Sequence, residues 1–129
     1  MTVPRKLRTV HLIVNPHSGY GVGDQLLADL RPEAKEAGIQ LVQHTTTGPG
    51  DATEYARSIA EEAEVCVVWG GDGTVNEVAG GLAGTGVPIL PCPVGTENLL
   101  AKELRIPSEP RKIVQILKTG LAVPCDVGV

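Results

Sequence analysis

This chain of 129 residues has no phenylalanine, one tryptophan and two tyrosines. Its 11 lysines and arginines are outnumbered by 15 aspartates and glutamates, for a net charge of −4. Nucleic acids are gripped through phosphates by basic side chains and through bases by aromatic ones, so no nucleic-acid partner is expected. No apolar run approaches the roughly 18–20 residues of a membrane span. The basic stretch from Met1 to Arg8 leads into no apolar signal segment or cleavage site. Cysteine is scarce too: Cys66, Cys92 and Cys125 are odd in number and widely spaced. They form no C-x-x-C pair, and His11, His17 and His44 stand at no metal-ligand spacing to them. The expectation is buried free thiols in a reducing, cytoplasmic compartment.

Glycine and proline, by contrast, are plentiful, at 16 and 10 residues. They gather at the ends of apolar runs, where an α/β protein turns from strand to helix. Strands are predicted at residues 9–14 (TVHLIV), 39–44, 65–69 (VCVVW) and 87–92. The run at 65–69 is apolar throughout, as suits a parallel strand buried on both faces. Helical spacing marks residues 24–37, where Pro32 implies a kink or a split, with Gly38 as the stop. A second helix has Asp51 as N-cap and Glu54 completing a capping box. Its apolar stripe is Ala52, Tyr55, Ala56, Ile59, Ala60 and Ala63. Further helices are expected from Thr74 to about Leu82, from Thr96 to about Leu104, and after Ser108 with Ile113, Ile116 and Leu117 buried. Residues 121–129 read as a last extended segment. Strands alternating with helices at this spacing imply a single α/β domain of three layers, a mostly parallel sheet with helices on both faces.

In such a sheet ligands bind beyond the carboxyl ends of the strands. Three strand-to-helix turns should meet there: NPHSG (15–19), GGDGT (70–74) and PVGTEN (93–98). In the second, Gly70, Gly71 and Gly73 carry no Cβ, so backbone N–H groups can approach a polyanion. A helix N-terminus follows, which favours phosphate. Asp72 is out of place among anion-binding glycines unless it meets a cation, such as Mg²⁺ on a nucleotide phosphate. The alternative is that it braces the turn through nearby N–H groups. Thr74 and Glu77 fit T-x-x-E, so Glu77 reads first as part of a capping box. Neither the Walker A pattern nor the dinucleotide fingerprint is present. The residues alone reach a phosphate- or nucleotide-binding domain and no substrate.

The ordered set NPHSG, GDAT (50–53), GGDGTVNEV (70–78), PVGTEN and DVG (126–128) resembles the diacylglycerol kinase catalytic domain, a family with bacterial lipid kinases and the sphingosine and ceramide kinases. GGDGT alone is shared with NAD kinases and phosphofructokinases; the flanking motifs narrow the match. The resemblance implies an NAD kinase/diacylglycerol kinase-like fold and ATP-dependent phosphorylation of a lipid hydroxyl, diacylglycerol or similar. By motif position it implies that ATP contacts Asn15, Pro16, His17, Ser18, Gly19, Thr46, Gly70, Gly71, Asp72, Gly73, Thr74, Val75, Asn76 and Thr96. Asp72 and Asp126 would be catalytic, with Asp72 on Mg²⁺. Asp126 reads equally well as a solvated edge residue. Many bacterial members have an acidic residue where this chain has Leu99. Members of the family pair such a half with a β-rich half bearing the catalytic base and lipid surface. Residues 1–129 would then be the nucleotide-binding catalytic domain, inactive by itself, with a tendency to self-associate and to touch the inner membrane face through the lipid. An NAD kinase-like enzyme and a non-catalytic nucleotide-binding regulatory module are the alternatives.

Overall fold

The β-branched and apolar runs pair into one sheet of four parallel strands. A computed structural model describes residues 8–16, 22–92 and 110–119. The strands are β1 (Thr9–Val14), β2 (Gln40–Thr45), β3 (Cys66–Trp69) and β4 (Ile89–Cys92), in the order β2-β1-β3-β4. Val14 lies level with Thr45 on one side and Trp69 on the other, and Trp69 with Cys92. The carboxyl ends of all four strands therefore form one edge.

Alternation along the strands feeds two cores, one on each face. Val10, Leu12 and Val14 join Val67, Trp69 and Cys92 against Leu30 and Ala34 of α1 (Val22–Glu36) and Ile113, Val114 and Leu117 of α4 (Pro110–Thr119). Ile13, Cys66 and Val68 face Ala52, Ala56 and Ile59 of α2 (Asp51–Ile59) and Val75, Val78 and Leu82 of α3 (Asp72–Leu82). The expected three-layer α/β architecture is what forms.

Several local expectations need correction. Helix α1 is continuous through Pro32. Pro32 and Ala28 are both exposed, so water can take the Ala28 carbonyl that proline leaves without a donor. Gly38 ends the helix as expected, at φ 78°. Ile39 N–H bonds back to the Ala34 carbonyl at 2.9 Å, closing a Schellman motif. Asp51 is not an N-cap. Gly50 holds that position in the left-handed region at φ 86°, and Asp51 is the first helical residue. Helix α3 starts at Asp72, two residues before Thr74, so Thr74 lies inside it and the T-x-x-E capping box does not form. Val114 joins the buried face of α4, whereas Ile116 is only partly buried. The helix expected after residue 96, Ser108 and the segment 121–129 lie outside the described residues. Among the described residues no helix is long and apolar enough to cross a membrane.

Candidate functional site

The sheet reverses its winding between β1 and β3, and the crevice beyond their carboxyl ends is the usual ligand position in such folds. Asn15 follows β1, Thr46 follows β2 and Gly70 follows β3. Asn15 N–H bonds to the Trp69 carbonyl at 3.0 Å, and Thr46 N–H to the Val14 carbonyl at 2.8 Å. These bonds set the three turns side by side. Asn15 Nδ2 then donates to Thr74 Oγ1 at 3.1 Å, tying the end of β1 to the first turn of α3. Thr74 is buried, so its hydroxyl serves this bond rather than a helix cap.

A cavity of about 200 Å³ opens here. Asn15, Thr46, Gly48, Pro49, Ala52, Thr74 and Glu77 line it. Of these the motifs pointed to Asn15, Thr46 and Thr74. Gly48, Pro49, Ala52 and Glu77 were missed as lining, because the loop after β2 reads locally as an ordinary turn and Glu77 as a cap. The three-residue step from Thr74 to Glu77, which puts both on one helix face, was the available signal.

The glycines divide by role. A Cβ on Gly70 would lie 3.0 Å from Thr74 Oγ1 and 3.2 Å from Asn15 Cβ, so this glycine answers to packing of the protein on itself. A Cβ on Gly71 or Gly73 would meet nothing within 4 Å. Those two keep space open beside the start of α3, where a helix has N–H groups without intrahelical partners. Gly71 supplies no side-chain cap there. Asp72, half-buried, is the first residue of this helix. Asn76 is exposed, Pro16 is exposed, and the Val75 side chain is in the core. His17, Ser18, Gly19, Thr96 and Asp126 lie outside the described residues, as does Leu99.

The start of α2 is arranged differently. Asp51 Oδ2 accepts the Thr47 N–H at 3.1 Å and meets His44 Nε2 at 2.7 Å. The bond with His44 holds the Asp51 carboxyl below the usual carboxylate range. The His44 ring stacks on Tyr55 with centroids 3.9 Å apart. Glu77 Oε1 accepts the Gly50 N–H at 2.8 Å. Two carboxylates are thus fixed at the start of this helix by the loop before it, and their charge repels an anion there. Phosphate is favoured at α3 and disfavoured at α2.

Among the described residues no three His, Cys, Asp or Glu side chains cluster as a metal site. Mg²⁺ bound with a nucleotide needs only one or two carboxylates, the phosphates and water supplying the rest. Asp72 beside the open Gly71 and Gly73 fits that donor set. Among the described residues the thiols play no part: burial pushes Cys66 up to about 12 and Cys92 further still, so both stay protonated.

The family model described as "Diacylglycerol kinase catalytic domain" matches residues 9–129. A diacylglycerol kinase of Bacillus subtilis (strain 168) is 38% identical over 126 residues, covering 95% of this chain and 42% of that protein. One of Staphylococcus carnosus (strain TM300) is 33% identical, covering 94% and 40%. A crystal structure of a diacylglycerol kinase from Bacillus anthracis str. Sterne superimposes with a TM-score of 0.76 at 32% identity, over 88% of this chain and 40% of that one. The chain spans about two fifths of the length of these relatives.

Proposed function

This chain belongs to the diacylglycerol kinase catalytic domain family, and from that premise we propose that residues 1–129 bind MgATP as the nucleotide-binding part of a lipid kinase. The observation that carries the reading is the open pair Gly71 and Gly73 at the uncapped start of α3, beside a cavity at the crevice between β1 and β3. The backbone there receives phosphate oxygens, and Asn15 with Thr74 fixes the turn against β1. Asp72 holds the Mg²⁺ that accompanies the phosphates; when bound, the ion neutralises charge on the transferring phosphoryl group. Asp126 and the NPHSG and PVGTEN turns complete this site in the proposal.

The acceptor proposed is a diacylglycerol hydroxyl, as the names of the relatives suggest. Such an acceptor brings a cytoplasmic protein to the membrane surface. Transfer by residues 1–129 alone is not expected. A general base must reach the hydroxyl, and among the described residues the carboxylate lining the cavity, Glu77, is already engaged with the Gly50 N–H.

The test is calorimetric titration of MgATP into this chain, with Gly71→Val and Asp72→Ala alongside. Gly71 is in extended backbone at φ −82°, which valine adopts, and its Cβ space is free, so the variant should fold. Binding by the wild type that is lost in Gly71→Val supports the site. Equal binding by both would move the nucleotide elsewhere.

A further inference from the structure

The loop after β2 is one wall of the cavity, through Thr46, Gly48 and Pro49. Short glycine-rich loops of this kind are mobile unless their backbone groups are tied down. Here the ties come from two different helices. Asp51 of α2 bonds the Thr47 N–H from within the loop's own helix. Glu77 reaches over from α3 to the Gly50 N–H, 27 residues away in sequence. Thr53 Oγ1 donates in return to the Glu77 carbonyl at 2.9 Å, so residue 77 holds α2 by side chain and backbone together. Gly50 is exposed and sits at φ 86°, and without that bond its N–H would face water.

We infer that Glu77 is a positioning residue, which latches the Thr46–Gly50 wall to α3 and so keeps the cavity in register with the Gly71–Gly73 turn. This rests on the nucleotide reading proposed above. The role needs an acceptor oxygen and no charge: Oε1 accepts, and an amide oxygen can do the same. Among the described residues Glu77 lines the cavity from the phosphate-side helix and also bonds the loop. Its loss leaves helix α3 intact, since alanine is the better helix former, but frees the opposite wall.

The experiment uses the chain as it stands, with MgATP as probe and the variants Glu77→Gln and Glu77→Ala. Calorimetry gives affinity, and amide hydrogen exchange reads the Gly50 N–H directly. Glu77→Ala should bind roughly fivefold more weakly, the effect of one neutral-strength hydrogen bond. Glu77→Gln should stay within about twofold of wild type, and its Gly50 amide should remain protected. In Glu77→Ala that amide should exchange freely. If Glu77→Gln binds as weakly as Glu77→Ala while Gly50 stays protected, the charge touches the ligand and the latch is wrong. Unchanged affinity in Glu77→Ala, or unchanged exchange at Gly50, also overturns it. A wild-type chain that takes up no MgATP overturns the functional reading instead, and the Gly50 exchange still decides the latch.

Discussion

Gly80 and Gly81 are neighbours in the last turn of α3, and alanine should act in opposite directions at the two. Helix propensity treats them alike: replacing glycine by alanine gains roughly 0.5–1 kcal/mol by restricting the unfolded chain. At Gly80, which is exposed, a Cβ meets nothing within 4 Å, so the gain should be realised. At Gly81 a Cβ would lie 2.5 Å from the Thr53 carbonyl oxygen and 2.8 Å from Ala56 Cβ. Both belong to α2, and the first is backbone, which no rotamer change can move. Helix α2 must then retreat by about 1 Å to reach ordinary contact. That stretches the Thr53–Glu77 and Gly50–Glu77 bonds. Overpacking of this kind costs about 1–3 kcal/mol. Set against the propensity gain, Gly81→Ala should lose ~1–2 kcal/mol, which lowers Tm by roughly 3–10 °C for a chain of this size. The difference between the two variants cancels propensity and isolates the clash. Thermal melts and urea titrations of wild type, Gly80→Ala and Gly81→Ala read it directly. A Gly81→Ala chain that melts at or above Gly80→Ala would refute the close approach of α2 and α3.

Two further expectations concern titration and thiol chemistry. The carboxyl of Asp51 titrates below its ordinary 3.8 because of His44, so the stabilisation it brings is full above pH 3.8 and is withdrawn as pH falls through the lower folded value. The Tm gap between wild type and Asp51→Asn should therefore be constant near neutrality and narrow in acid; a gap that persists unchanged into strong acid would contradict the His44–Asp51 bond. Cys66 and Cys92 are fully buried with thiols pushed up. In a Cys125→Ser chain a thiol reagent should react only as fast as urea unfolds the protein, and rapid labelling of the native state would show that the core is open.

The sequence by itself determined the layering and the edge at which the strand-to-helix turns gather. Continuous apolar runs such as VCVVW, separated by stripes at helical spacing, leave few arrangements other than parallel strands covered on both faces. With the strands parallel, every strand-to-helix turn falls at one edge. Local pattern also put Asn15 and the GGDGT turn at the ends of strands, because strand ends are marked by composition, whereas Thr46 was implied only by the family resemblance. What it misjudged were the carboxylates and hydroxyls near helix starts. Asp51, Thr74 and Glu77 have the spacing of caps, yet each bonds to a partner supplied by another turn or element: the Thr47 N–H and His44, Asn15, and Gly50. A cap can be recognised from four consecutive residues, but a bond between Glu77 and Gly50 requires α2 and α3 to lie side by side. The two also differ in what the glycines are for. GGDGT reads as three equivalent openings; only the packed structure separates Gly70, pressed against Thr74 and Asn15, from Gly71 and Gly73, which border empty space. Sequence period fixes which face a residue joins, whereas the distance between faces, and so the shape of the cavity and the fate of each polar group in it, is set by how the helices close on one another.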